Sequence, residues 1–158
     1  MKDSLKTGIT FGLASGVITT LGLMVGLDSG THSRTVVIGG ILTIAIADAF
    51  SDALGIHISE ESENVHTQTQ IWVSTAATFI AKFCFALTFV VPVLLFPLAT
   101  AILVSIVWGL SVLTLLSYYL AREQKTSPWL VIGEHLAIAA IVIAATRFSG
   151  RWIAIALS

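Results

Sequence analysis

The chain has 158 residues, of which 56% are hydrophobic and 11% are charged, and its mean hydropathy is +0.94. Because an ordinary soluble domain carries roughly 25% charged residues, this chain has too few polar side chains to cover a soluble fold. Its formal net charge of -1 comes without a basic block, which argues against nucleic acid as a partner. The sequence therefore predicts an all-α integral membrane protein, a single domain of about five transmembrane helices of about 20 residues each.

Apolar runs, polar turns and helix breakers locate the predicted spans. A polar turn near Asp28 separates the first two, and Pro97 is expected to divide a long apolar run into the third and fourth. Ser127 and Pro128 are residue types that favour the start of the last helix. The predicted spans cover residues 7–27, 35–58, 73–96, 98–120 and 129–150, with a short polar loop at residues 59–70.

Lysines and arginines near the span ends predict the orientation in the membrane. An odd number of spans places the two termini on opposite sides, and basic residues favour the cytoplasmic side. Lys82 joins the N-terminal side if its side chain snorkels from the third span to the surface. That side then holds Lys2, Lys6, Lys82, Arg122 and Lys125, against Arg34, Arg147 and Arg151 on the other. The N-terminus is therefore expected in the cytoplasm, and in a prokaryote the membrane would be the plasma membrane.

Three glycines lie four residues apart on the first span, at Gly8, Gly12 and Gly16. Such a face of small residues lets two helix backbones approach closely in lipid. The spacing leaves two partners open, which are another helix of the same subunit and a second copy of the chain in a homodimer.

Two aspartates in the second span are the sharpest functional signal. Asp48 and Asp52 are spaced i and i+4, so their carboxylates share one helix face inside an apolar run. An intramembrane carboxylate is costly and usually faces a partner, a polar cavity or a transport path. Oxygen ligands of this kind suit divalent cations such as Mn2+ and Fe2+, and they also suit protons. A purely structural pair would need a basic partner, for which Lys82 and Arg147 are the candidates inside spans.

The closeness of the two aspartates also predicts a coupling between metal and protons. Two carboxylates on one turn and away from water disfavour each other's ionisation. Without metal at least one is therefore expected to keep its proton, and a divalent cation would replace that proton. Metal affinity should then fall as the pH falls.

Further candidate metal ligands lie in the first span and in the loop after the second. Ser15 and Thr19 offer hydroxyls and Met24 a thioether, although a hydroxyl can instead bond to its own helix. A cluster in the loop combines carboxylates with an imidazole, as a capture site for divalent metal would. Its members are Glu60, Glu61, Glu63 and His66. An ordinary solvated acidic loop is the alternative for these residues.

Two segments resemble helices of the vacuolar iron transporter family. Residues 15–26 (SGVITTLGLMVG) look like the opening helix of that family, and residues 47–55 (ADAFSDALG) with Ser59 look like its second helix. The region of Pro92 and residues 146–151 (TRFSGR) fit its later helices, so the resemblance covers nearly the whole chain. The chain is similar to a short form of the family, without the long cytoplasmic metal-binding domain of many members.

The chain departs from the pattern of that family at three positions. Ser15 stands where the family usually has an aspartate, Asp52 stands where a methionine is usual, and Ile44 stands where members can carry a glutamate. One carboxylate has thereby moved from the first helix to the second. This change either keeps metal coordination with harder ligands or marks a different substrate.

The resemblance implies a homodimer that moves Fe2+ or Mn2+ out of the cytoplasm in exchange for protons, along a path lined by the first two helices. Metal is then the transported substrate, and no permanently bound cofactor is expected. The alternative is a non-transporting membrane protein that packs against a partner and keeps Asp48 and Asp52 for structure. An enzyme is not expected, because the sequence has no nucleophile elbow, zinc-protease motif or phosphate-binding loop.

Overall fold

The computed structural model describes residues 1–157, which form six helices. In chain order these are α1 (Lys2–Thr31), α2 (Arg34–Glu63), α3 (Gln68–Thr88), α4 (Val90–Leu95), α5 (Leu98–Glu123) and α6 (Pro128–Ala156). Five helical segments within these residues are long and apolar enough to cross a membrane, with α3 and α4 together forming the third. The predicted all-α architecture with five candidate membrane spans is therefore confirmed.

The helices extend past the predicted spans where α2 meets α3. α2 continues to Glu63 and α3 begins at Gln68, so the polar loop expected over residues 59–70 contracts to residues 64–67. Local caps cause this difference. Asn64 takes a left-handed conformation (φ 55°), and Thr67 forms a reciprocal capping box with Gln70. Hydropathy indicates where lipid ends, whereas these caps determine where the helices end.

The long apolar run after this loop is interrupted twice. α3 ends at Thr88, the six-residue helix α4 follows Phe89, and α5 begins directly after Pro97. Phe89 keeps right-handed helical angles (φ -73°, ψ -17°), so the first interruption is local. Pro92 lies in the first turn of α4, where its missing N–H costs little. The break at Pro97 separates the third span from the fourth, as expected.

The first glycine set of α1 packs against α3 within the subunit. Gly8, Gly12 and Gly16 all face α3, and a Cβ on Gly8 would lie only 2.4 Å from the Ser74 carbonyl oxygen. The missing side chains thus bring the two helix backbones into direct contact. The sequence left open whether this face packs against another helix of the same subunit or against a second copy of the chain. In the structure it packs against α3 of the same subunit.

A second glycine set makes α1 the central helix of the bundle. Gly22, Gly26 and Gly30 face α6, and a Cβ on Gly150 of α6 would lie 2.2 Å from the Gly26 carbonyl oxygen. α1 also packs against α2 and α5, so it contacts four of the other helices extensively. Its glycines therefore allow close neighbours on two different faces.

The order of the helices defines two ends of the bundle. The N-terminal end contains the start of α1, the end of α2 and the end of α5, and an ion pair between Lys6 and Glu123 joins α1 to α5 there. The distal end contains the end of α1, the start of α2 and the end of α6. At the distal end Arg34 donates a hydrogen bond to the Phe96 carbonyl oxygen (2.7 Å).

Large apolar side chains cover the outside of the bundle. More than half of the surface of Phe50, Trp72, Leu115, Trp129 and Phe148 is exposed. A soluble protein rarely exposes so much contiguous apolar surface, whereas a lipid environment requires it. This surface agrees with the five candidate membrane spans.

Replacing Gly12 with Ala tests the contact between α1 and α3. A Cβ at residue 12 would lie 2.6 Å from the Thr78 carbonyl oxygen and 3.1 Å from the Ala81 Cβ. We expect Gly12→Ala to lower the free energy of unfolding by about 1–3 kcal/mol, measured by thermal unfolding in detergent. Gly55→Ala is the matched control, because a Cβ there would meet nothing within 4 Å. An equal loss of stability in both variants would contradict the close approach of the two helices.

Candidate functional site

Three charged side chains meet in the middle of the bundle. Lys82 on α3 places its Nζ 2.5 Å from Asp48 Oδ2 and 2.5 Å from Asp52 Oδ2, both on α2. The same nitrogen donates a hydrogen bond to Ser15 Oγ on α1 (2.8 Å). We call these four residues the charged cluster. Of the two basic partners that the sequence left open for the aspartates, Lys82 makes the contact and Arg147 does not.

Helix packing explains why one lysine reaches both aspartates. Asp48 and Asp52 are one turn apart on α2, so a single ammonium can lie between their carboxylates. The Lys82 side chain passes Gly16 of α1, where an added Cβ would lie 3.4 Å from Lys82 Cγ. Lys82 is only 1% exposed, so it does not snorkel to a membrane surface. It therefore adds nothing to the basic residues at the N-terminal end, and the expected orientation depends on the others.

The charges of the cluster are unequal. With all three groups ionised, one ammonium faces two carboxylates, and one negative charge remains uncompensated. Asp52 accepts a hydrogen bond from Lys82. Asp48 Oδ2 lies within ion-pair distance of Lys82 Nζ, but it is buried and accepts no hydrogen bond from any described residue. An uncompensated negative charge removed from water attracts a further cation.

Asp48 also faces a groove between α1 and α2. The groove has a volume of about 610 Å3, and Thr43 and Ser51 are its other polar lining residues. Ile44 lines it as well. The Asp48 side chain keeps 24% of its surface exposed. The groove therefore gives the charged cluster an opening to the outside of the subunit.

The candidate ligands on α1 separate into three environments. Ser15 belongs to the charged cluster through its hydrogen bond from Lys82. Thr19 donates its hydroxyl to the Ser15 carbonyl oxygen (2.9 Å), which is the local bond that competes with any ligand role. Met24 is 0% exposed and belongs to the apolar core. The structure thus brings Ser15, but neither Thr19 nor Met24, to the two aspartates.

The candidate ligands after the second span are also divided. Glu60 is 6% exposed, and Ser74 donates a hydrogen bond to its Oε2 (2.5 Å). Glu63 Oε2 lies 3.3 Å from His66 Nε2, and Glu61 is exposed. Among residues 1–157, no three His, Cys, Asp or Glu side chains are arranged to hold a metal ion. The structure therefore does not assemble the four residues into one capture site.

Buried hydroxyls on α3 lie between Glu60 and the charged cluster. Ser74, Thr78 and Lys82 recur every four residues on one face of α3, and all three are buried. Thr78 donates a hydrogen bond to the Ser74 carbonyl oxygen (2.8 Å). We call these three residues and Glu60 the polar row. The signal for it in the sequence is the four-residue repeat of polar side chains within an apolar span, which places them on one helix face.

Comparisons with known proteins do not assign this site. The chain matches no protein-family model, and no curated protein matches it significantly. The function therefore has to be inferred from the geometry of the charged cluster.

Replacing Lys82 with Met removes the ammonium and keeps a side chain of similar length. Because Asp48 and Asp52 would lose their counter-charge, we expect Lys82→Met to lower the free energy of unfolding by about 3–5 kcal/mol, measured by thermal unfolding in detergent. Adding Asp48→Asn and Asp52→Asn should recover much of this loss, since the triple variant has no charge left in the cluster. A triple variant as unstable as the single variant would show that Lys82 acts through the packing of its stem.

Proposed function

We propose that the protein is a secondary transporter that exchanges a divalent transition-metal ion, Fe2+ or Mn2+, for protons at Asp48 and Asp52. In this proposal metal leaves the cytoplasm, and the functional unit is a homodimer. The geometry of the cluster is the observation that supports it, because two carboxylates share one ammonium inside the bundle. A cation that binds there finds two carboxylates, which carry one negative charge more than Lys82 cancels once both have lost their protons.

In this proposal Lys82 occupies the position that a metal ion would take. Its Nζ lies 2.5 Å from one oxygen of Asp48 and 2.5 Å from one oxygen of Asp52. A divalent cation held by both carboxylates would have to lie between the same two side chains. The ammonium therefore stands in for the substrate when no metal is bound, and metal binding displaces it. The flexible stem of lysine permits this displacement, and Ser15 Oγ remains as a hydrogen-bond acceptor.

The polar row supports a role for Glu60 in metal entry. Glu60 is buried at the N-terminal end, where Ser74 donates a hydrogen bond to it, and Thr78 and Lys82 follow Ser74 on the same face of α3. Polar groups inside a membrane bundle usually mark a path or a partner. We assign Glu60 as the first carboxylate that an incoming metal ion meets inside the bundle.

The groove between α1 and α2 supports the homodimer. Asp48 is partly exposed there among mostly apolar lining residues. In an isolated subunit, lipid would fill this groove and would meet the carboxylate directly, which is costly. A second copy that covers the groove would remove this cost and enclose the transport path between the subunits.

A structural role for the charged cluster is the second candidate function. It is favoured by the direct contact of Lys82 with both aspartates, because a paired charge inside a bundle can also fix helix packing. In that case the protein would bind a partner in the membrane and transport nothing. The two candidates differ in their response to metal.

Metal binding and transport by purified protein distinguish the two candidates. We expect Mn2+ to raise the thermal unfolding temperature of the wild type in detergent, and to raise that of Lys82→Met by more, since no ammonium then competes. We also expect uptake of radioactive Mn2+ and Fe2+ into proteoliposomes to depend on a pH gradient. Asp48→Asn with Asp52→Asn should abolish both responses.

Asp3→Asn is the matched control for this experiment, because it removes an exposed carboxylate far from the cluster. It should leave metal stabilisation and uptake unchanged. The transporter would be refuted if uptake did not depend on the pH gradient and were identical in the wild type and in the double variant of Asp48→Asn and Asp52→Asn. A folding defect in that variant without any metal response in the wild type would favour the structural candidate.

Glu60→Gln and Glu61→Gln test the proposed role of Glu60 as a matched pair. Glu60 is buried on Ser74, whereas its neighbour Glu61 is exposed. We expect Glu60→Gln to raise the metal concentration for half-maximal uptake severalfold and to leave the maximal rate mostly intact. Glu61→Gln should change neither value. Equal effects of both variants would indicate a general surface-charge effect, and a lost maximal rate in Glu60→Gln would place Glu60 in the translocation step.

A further inference from the structure

A second polar site lies at the distal end of the bundle, away from the charged cluster. α1, α5 and α6 border a cavity of about 450 Å3 there. Apolar side chains such as Ile102 and Ile143 line it, together with the charged side chains of Asp28, Arg147 and Arg151. A cavity that combines apolar walls with a few charged groups suits an amphiphilic ligand.

The two arginines of this cavity have no partner among residues 1–157. Arg147 and Arg151 are spaced i and i+4, so they share one face of α6. Neither guanidinium makes a hydrogen bond or an ion pair with any residue in the range 1–157, whereas Arg34 at the same end donates to a backbone carbonyl. Two adjacent guanidinium groups beside a cavity therefore have all their donors available for a ligand.

Counted from Pro128, both arginines lie about one hydrocarbon-core thickness along α6, which is where lipid headgroups are expected. Arg147 is 19 residues beyond Pro128, the start of α6, which corresponds to about 28 Å along the helix. The hydrocarbon core of a bilayer is about 30 Å thick, and Arg151 lies one turn further on. Gly150 between them contacts the Gly26 backbone, which holds this turn of α6 against α1.

We propose that this cavity binds a phosphate-bearing anion through Arg147 and Arg151. Guanidinium groups form charge-assisted and often bidentate hydrogen bonds with phosphate oxygens. The phosphate group belongs to a phospholipid headgroup or to a free phosphate ion. The apolar lining, which includes Ile102 and Ile143, fits the glycerol and acyl part of a lipid.

Asp28 sets the charge that the site accepts. Two guanidinium groups, one carboxylate and the His32 imidazole line the cavity, which leaves one positive charge when His32 is neutral and the other three are ionised. A phosphodiester carries one negative charge and balances it. Asp28 Oδ1 lies 4.0 Å from the exposed His32 Nδ1 and makes no ion pair with either arginine of the cavity. Its carboxylate therefore weakens the attraction for an anion without closing the site.

Native mass spectrometry of the full chain, with phosphatidylglycerol as the lipid probe, tests this proposal. We expect the wild type to bind the lipid, and Arg147→Gln with Arg151→Gln to weaken binding about tenfold or more. Asp28→Asn should strengthen binding, because it removes the opposing charge. Arg122→Gln is the matched control, since it removes an exposed arginine at the N-terminal end and should not change binding.

Inorganic phosphate as a second probe separates the two sources of the anion. If inorganic phosphate displaces phosphatidylglycerol, and if this displacement requires Arg147 and Arg151, the phosphate group alone suffices for binding. If phosphate does not displace the lipid, the site recognises the lipid. Both results support the site. Undiminished lipid binding by the double variant would overturn it, as would an equal loss in Arg122→Gln. The double variant should unfold at the wild-type temperature, because neither guanidinium has a partner within residues 1–157.

Discussion

The close approach of α1 to α3 determines where charge lies in this protein. Gly8, Gly12 and Gly16 bring the two backbones together, and the Lys82 side chain then lies against α1 in the middle of the bundle. At that depth its ammonium meets Asp48 and Asp52. Each of the three charges would be costly alone in lipid, and their mutual contacts reduce that cost. A packing property of α1 thus decides the electrostatics between α2 and α3.

A lysine within the substrate position would influence which ions the proposed transporter accepts. A monovalent ion gains about the same Coulomb attraction from Asp48 and Asp52 as the ammonium that it displaces, whereas a divalent ion gains about twice as much. The ammonium is also tethered, so it competes at a high local concentration. In the proposed transporter Lys82 therefore acts as a filter against singly charged cations, and the second carboxylate supplies the additional attraction for a divalent one.

The sequence predicted the number and type of the helices well, because lipid demands runs of about 20 apolar residues and such runs are visible in composition. Hydropathy alone could not locate the helical turns near Glu63 and Gln68, since polar turns outside lipid depend on caps and leave no hydropathy signal. The sequence indicated the Asp48 and Asp52 pair but could not choose between Lys82 and Arg147 as partner. That choice depends on whether α3 or α6 packs against α2, and no single-helix pattern contains this information.

The contact between α1 and α6 also constrains how the protein is made. Gly22, Gly26 and Gly30 belong to the first helix, whereas Gly150 belongs to the last one, so this face of α1 stays uncovered while more than a hundred residues are synthesised. At about 5–20 residues per second, the delay is on the order of ten seconds. During this interval lipid or the insertion machinery must occupy the glycine face, and assembly of the bundle finishes when α6 displaces that temporary neighbour.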